Sequence, residues 1–354
     1  IIGQRLRPML TLGLPLLTLY LVWSLPNGTF STLSLLDYNL AFVQSDSISR
    51  LFATVFSIMT FGGSLFALKQ KRVLELVSVF VYAGSAIGVV FAGDLISLFI
   101  FWEIMAVAST VVVLSAGGKR SYQISMRYFF VHVFGGTLLL IGILSHIVDT
   151  GSTAFTAMEP NTFGTIFILM GFLINAAAPP LSAWLSDAYP EASFSGAVFL
   201  SAFTTKAAVY VLLRGFPGTE VLIFIGVFMI FYGIIYALLE NDMRRILAYS
   251  IVNQVGFMVT GVGIGTEMAL NGVAAHAFTH IIYKGLLLMS AGSVLYMTGR
   301  RKCTDLGGLF QSMPLTAFCS IIGALSISSF PLTSGFISKS MISQAAADES
   351  LTFV

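Results

Sequence analysis

The chain has 354 residues, 56% of them hydrophobic, with 18 Lys and Arg against 16 Asp and Glu and a net charge of +2. A soluble domain averages about 25% charged residues, and the 10% found here excludes a water-soluble globule; disorder, which needs low hydrophobicity and high net charge, is excluded too. With so small a net charge and no Lys/Arg run beyond three residues, nucleic acid is no expected partner.

A helix crossing a bilayer core about 30 Å thick needs about 20 apolar residues. Suitable runs fall at 8–25, 49–68, 73–92, 95–115, 124–147, 161–178, 195–213, 219–239, 246–263, 269–298, 313–330 and 332–347. The expected fold is therefore all-α: a polytopic membrane protein of about 12 transmembrane helices with short connections and no separate soluble domain. Ile1-Ile2-Gly3 lacks an initiator Met and Thr352-Phe353-Val354 brings no polar tail, so a chain incomplete at both ends is expected. Cys303 and Cys319 supply neither a disulfide framework nor a metal cluster, and no metal is expected.

Lys and Arg in short loops collect on the cytoplasmic side. Threaded alternately, one side receives Arg5, Arg7, Lys69, Lys71, Arg72, Lys119, Arg120, Arg127, Arg244, Arg245, Arg300, Arg301 and Lys302; the other receives Arg50 and Arg214. One mistaken span would destroy that asymmetry, so the Arg-rich side is expected to be cytoplasmic, in a bacterial inner membrane.

The charges inside the spans carry the functional reading. A charged side chain at the membrane centre costs about 2.5–3.5 kcal/mol on insertion scales and needs a reason to stay. Glu103, in Phe101-Trp102-Glu103-Ile104-Met105, is nine residues from Asp94, about 13 Å along a helix. Lys206, Lys284 and Lys339 are likewise internal. Snorkelling is the competing account for Lys206 and Lys339, and a static ion pair for any of the four; for Glu103 and Lys284, far from any end, proton transfer explains the placement better. His276, His280 and Lys284 follow at i, i+4 and i+8 and form one stripe of a helix about 12 Å long. Titratable groups so spaced can relay protons through bridging waters, and histidine titrates nearest neutrality. His132 and His146 have no such company and read as structural.

Two spans are interrupted alike, by Asn175-Ala176-Ala177-Ala178-Pro179-Pro180-Leu181 and by Ser329-Phe330-Pro331-Leu332-Thr333-Ser334-Gly335. Proline removes a donor and frees carbonyls that need other partners, and paired broken helices point to the site of an inverted-repeat carrier. The expected organisation is 1–72 as N-terminal helices, 73–214 as a first five-helix unit, and 219–354 as a second, inverted unit that stops before its fifth span.

At these residues the chain resembles the proton-translocating antiporter family: the A-type and D-type subunits of Mrp cation/proton antiporters and the antiporter-like membrane subunits of respiratory complex I and membrane-bound hydrogenases. The resemblance rests on the Glu103 segment, Pro180-Leu181-Ser182-Ala183-Trp184-Leu185-Ser186-Asp187-Ala188-Tyr189-Pro190, Asp242-Met243-Arg244-Arg245 through Met258, His276 to Lys284, and Phe330 to Lys339. It covers most of residues 73–345, and its wording is nearest the D-type subunit. It implies that Glu103 is the essential glutamate beside a subunit interface, that Lys206 is the lysine of the eighth helix, that His276, His280 and Lys284 form the relay of the eleventh, and that Lys339 is the ionisable residue of the broken twelfth. Asn175 departs from the pattern, because the family usually has a lysine there; Ser182 and Ser186 replace a common histidine and proline.

The mechanism expected is that Glu103 pairs with Lys206 and that changes at this pair drive protons through Lys284, His280 and His276 toward Lys339. Partners are other membrane subunits, protons and Na+ or K+. No nucleotide fingerprint, P-loop or iron–sulfur cysteine set occurs, so no cofactor is expected and redox chemistry belongs to other subunits. The rival readings are a proton-pumping subunit of complex I or a hydrogenase, and a scaffold whose transport has decayed, the latter favoured by Asn175.

Overall fold

Inside lipid a backbone has no water to bond, so it closes its hydrogen bonds within helices. The computed structural model describes residues 6–35 and 38–351; Arg5 and both chain ends, Ile1-Ile2-Gly3 and Thr352-Phe353-Val354, lie outside the described residues. The helices are α1 (Leu6–Ser24), α2 (Ser47–Phe66), α3 (Val73–Phe91), α4 (Leu95–Leu114), α5 (Lys119–Thr150), α6 (Phe163–Asn175), α7 (Ala183–Glu191), α8 (Gly196–Ala202), α9 (Thr204–Gly215), α10 (Val221–Leu239), α11 (Met243–Ile264), α12 (Glu267–Thr298), α13 (Leu309–Ser312), α14 (Pro314–Ile327) and α15 (Ser334–Asp348).

Nine helical segments among the described residues are long and apolar enough to cross a membrane, counting α8 and α9 together. The other three expected spans are shorter than expected. Residues 161–178 reduce to the 13-residue α6, 313–330 to the 14-residue α14 and 332–347 to the 15-residue α15, because the proline-containing breaks cut off the ends of α6 and α14 and the start of α15. Between the first two spans, where no helix is expected, the chain forms an antiparallel hairpin of β1 (Gly28–Leu35) and β2 (Tyr38–Ser45) with a bulge between Thr29 and Thr32.

Side-chain caps fix where the helices begin. Asp94 Oδ1 accepts the Ile96 and Ser97 amides and starts α4; Asp242 Oδ1 accepts the Arg244 and Arg245 amides and starts α11. Both aspartates also make isolated antiparallel bridges, Asp94 with Ala154 and Asp242 with Lys302. The two helix sets share one register: Val73 to Val221, Asp94 to Asp242 and Lys119 to Glu267 are each a step of 148 residues. Helices α3 and α10 both have 19 residues, and α5 and α12 both have 32.

At the centre lies α8–α9, whose residues are almost all buried, while α1 and α10 present leucines and phenylalanines outward. Glycines let backbones meet: Gly226 and Gly233 of α10 abut the α11 backbone at Thr260 and Asn253. At one end Arg120 and Arg301 converge on Glu191 (3.1 and 2.8 Å), and Arg127 and Arg245 on Asp187 (3.0 and 3.9 Å). Arg244 is buried there, donating to the carbonyls of Tyr189, Pro190, Ala192 and Ser193, which ties the start of α11 to the end of α7 and the loop after it. At the other end Arg214 pairs with Asp46 at 2.7 Å.

Candidate functional site: a buried polar axis through three helix breaks

Each break leaves carbonyls without helical partners. After α6 the amides of Ala177 and Ala178 return to Ile174 O and Leu173 O; after α14 those of Ser329 and Phe330 return to Ser326 O and Leu325 O. The two helix ends thus share one capping pattern, the Schellman motif, with non-glycine residues in the left-handed conformation, Ala177 at φ 61° and Ser329 at φ 56°. Pro179 and Pro180 lie in the first break loop and Pro331 in the second, as their sequence context requires.

A third break departs from the expected span pattern. Residues 195–213 form two helices interrupted at Phe203, and the amide of Thr204 donates to the hydroxyl of Tyr82 on α3 (3.0 Å), which also bonds Thr204 Oγ1 at 2.5 Å. Nothing in the local sequence marks this break, since the partner lies more than 100 residues away.

Two of the internal lysines take up carbonyls near these breaks. Lys206 Nζ donates to Ser201 O (2.8 Å) and Thr205 Oγ1 (3.1 Å), and Lys339 Nζ donates to Ile327 O (2.8 Å) while lying 5.3 Å from the Phe257 ring centroid. Lys206 is fully buried, which rules out snorkelling for it. Lys284, also fully buried, donates to Ser250 Oγ on α11.

The stripe on α12 stands between them. His276 Nδ1 lies 2.9 Å from Ser338 Oγ on α15, and its Nε2 lies 3.2 Å from Gln254 Oε1 on α11. Because Gln254 uses its NH2 toward Asn253 Oδ1 (2.6 Å), its oxygen accepts from both His276 Nε2–H and Tyr283 OH (3.1 Å); these amide and ring orientations follow from the network. His280 stacks on His276 with centroids 5.9 Å apart and meets Tyr283 at 5.2 Å, and neither of its ring nitrogens has a hydrogen-bond partner among the described residues. The structure therefore brings His276, His280, Lys284 and Lys339 together, with Gln254, Ser250 and Ser338 as partners that residue type alone did not single out.

Glu103 stands apart. Its Oε1 is buried without a hydrogen-bond partner and packs on Gly136 of α5, where any Cβ would collide with it. No ion pair joins it to Lys206 among the described residues, so the expected direct pair is corrected: Lys206 is turned across the α8–α9 break toward the Ser201 carbonyl. Asn175 approaches the neighbouring glycine, its Oδ1 3.7 Å from the place a Gly135 Cβ would take, and both of its amide atoms lack partners among the described residues. The neighbouring Ile174 carbonyl receives the Trp184 indole N–H at 3.1 Å.

These features define a class: a polytopic helical membrane protein with a line of buried and half-buried ionisable groups threaded past helix breaks. The chain belongs to the NADH:quinone oxidoreductase/Mrp antiporter, TM family, which matches residues 92–354. It is 32% identical over 280 residues to the D component of the Na(+)/H(+) antiporter of Alkalihalophilus pseudofirmus, covering 73% of this chain and 56% of that protein. It is also 32% identical to the N component of the NADH-quinone oxidoreductase of Desulforudis audaxviator, over 72% of this chain and 54% of that protein. The chain thus spans about half the length of these curated relatives. The structure of the Mrp complex from Dietzia sp. DQ12-45-1b contains the same fold, with TM-score 0.85, 24% identity, and coverage of 98% of this chain and 69% of that one.

Proposed function

We propose that the chain is the proton-translocating membrane subunit of a multi-subunit, Mrp-like cation/proton antiporter, moving protons along Glu103, Lys206, Lys284, His280, His276 and Lys339 in exchange for Na+ or K+. The observation that carries this is the buried run of Lys284, His280 and His276, which leads to the half-buried Lys339. Three basic groups are buried there and a fourth is half-buried, with no carboxylate paired to them among the described residues. A static fold has no use for so expensive a set. Likeness to a component of an Na(+)/H(+) antiporter supports the exchange reading.

Without a direct Glu103–Lys206 pair, Glu103 acts across the glycine face of α5. It loads a proton at the edge of the bundle, and bridging waters carry the charge change to Lys206. We take the two helix sets as inverted units over 73–214 and 219–354, the basic end as cytoplasmic and the membrane as the bacterial inner membrane; the recurring step of 148 residues and the clustering of arginines support this arrangement.

In inside-out vesicles holding the assembled complex, Glu103→Gln is expected to lower cation-dependent proton movement at least tenfold while assembly is kept. Unchanged flux would sink the reading. The equal identity to a component of an NADH-quinone oxidoreductase keeps a redox-driven pump as the second reading; proton movement that needs NADH and quinone rather than a Na+ or K+ gradient selects it.

A further inference from the structure

Helix α5 carries a histidine that the axis leaves out. His132 is 1% exposed, and the step of 148 residues that relates α5 to α12 takes it to His280. The same step takes Tyr128 to His276 and Gly136 to Lys284. His132 therefore occupies on α5 the position that the central relay histidine occupies on α12, and Glu103 fills the space over Gly136 that a side chain takes at Lys284.

Its surroundings are those of a titrating group rather than of a satisfied core residue. Nδ1 lies 2.9 Å from Tyr128 O, a bond that needs the proton on Nδ1, so Nε2 of the neutral ring carries a free lone pair. That Nε2 has no partner among the described residues, and neither do Glu103 Oε1, Trp102 Nε1, Asn175 Oδ1 and Nδ2, or Ser182 Oγ. All six atoms belong to elements that meet at the first break. Residues 132, 135 and 136 share one face of α5; that face takes Glu103 from α4 and Ile174 and Asn175 from α6. Trp184, whose indole caps Ile174 O, packs edge-on against the His132 ring at 4.6 Å. Buried polar atoms in such number are met by ordered water where they are met at all.

Hydroxyl groups lie between this site and Lys206. The His132 ring stacks on Tyr128 at 4.0 Å, and Tyr128 OH donates to Ser109 Oγ at 2.9 Å and faces Thr204. Thr204 adjoins Thr205, whose Oγ1 accepts from Lys206.

We infer that the first helix break holds a hydrated proton-binding site centred on His132, with Glu103, Asn175 and Ser182 as its other polar walls. The ligand is a proton carried by water. Protonated Glu103 gives up its proton, becoming carboxylate, and His132 Nε2 receives it, becoming imidazolium, so that charge and atoms balance. His132 thereby supplies from α5 the titratable group that Asn175 cannot supply from α6. This rests on the proton-transport reading of the axis.

The test uses the assembled complex in inside-out vesicles. His132→Asn is expected to cut cation-dependent proton flux at least tenfold, and adding Asn175→Lys to it restores flux, because a lysine then titrates from the opposite wall. His146→Asn, whose step of 148 residues leads to Val294, leaves flux unchanged. Where His132→Asn does not assemble, His132→Gln, which retains a donor for the Tyr128 carbonyl, takes its place. Flux that survives both substitutions while Glu103→Gln abolishes it overturns the inference and leaves the transport reading intact. Loss of flux that Asn175→Lys fails to restore assigns His132 a packing role and also overturns the inference. Flux insensitive to Glu103→Gln removes the transport reading itself.

Discussion

Lys206 bears most directly on how a charge is kept inside a membrane protein. A buried ammonium is costly unless its donors are used, and here two are, on Ser201 O and Thr205 Oγ1. The lysine and the break at Phe203 hold each other in place: the break frees a carbonyl, and the ammonium occupies it. The structural role of the residue and the proposed transport role separate by substitution. Lys206→Ala leaves a buried carbonyl unpaired and a cavity, and is expected to cost about 2–4 kcal/mol, lowering the melting temperature in detergent by several degrees. Lys206→Met leaves the same carbonyl unpaired but keeps the volume and removes the desolvated charge, so its melting temperature should lie clearly above that of Lys206→Ala while proton flux falls at least tenfold. Full flux in Lys206→Met would show that the lysine is there for the fold.

At the scale of the element, the two Schellman-capped breaks share an unusual choice. Left-handed backbone at a C′ position is ordinarily glycine's, and an L side chain there costs about 1–2 kcal/mol. Ala177 and Ser329 both accept that cost. Ala177→Gly keeps the conformation and removes the strain, so it should raise the melting temperature by a few degrees and leave flux within about twofold. A lower melting temperature would mean that the Ala177 methyl, which is buried, packs for more than the strain costs. The sites of these two breaks were legible in the sequence because proline marks them chemically. The α8–α9 break was not, since Phe203 is neither proline nor glycine and the interruption is imposed by the Tyr82 hydroxyl from another helix. The β1–β2 hairpin had a visible signal in the polar–apolar alternation of Gly28–Leu35, but its eight residues fall well short of the run of about 20 that marks a spanning helix.

At the scale of the whole molecule, the buried charges were legible because a membrane core makes every internal Lys or Glu conspicuous, whereas their partners were not. Gln254, Ser250 and Ser338 are ordinary polar residues whose role depends on which helices meet. The missing Glu103–Lys206 pair has the same origin, since sequence gives depth in the membrane but not bearing around a helix axis. Depth and charge do combine into one statement about orientation. The 32-residue α5 runs about 48 Å from Lys119 in the arginine-rich end to Thr150, so Ser152 lies at the opposite end from the loop after α12. That loop holds Cys303, which is exposed and whose amide donates to Asn241 O (2.8 Å) beside the basic cluster. With half-buried Cys319 replaced by Ser, a membrane-impermeant maleimide should label Cys303 in inside-out vesicles and leave it unlabelled in right-side-out cells. In a Cys303→Ser, Cys319→Ser background, Ser152→Cys should give the reverse pattern. Labelling of Cys303 from outside would invert the topology, and with it the side from which the proposed exchange loads Glu103.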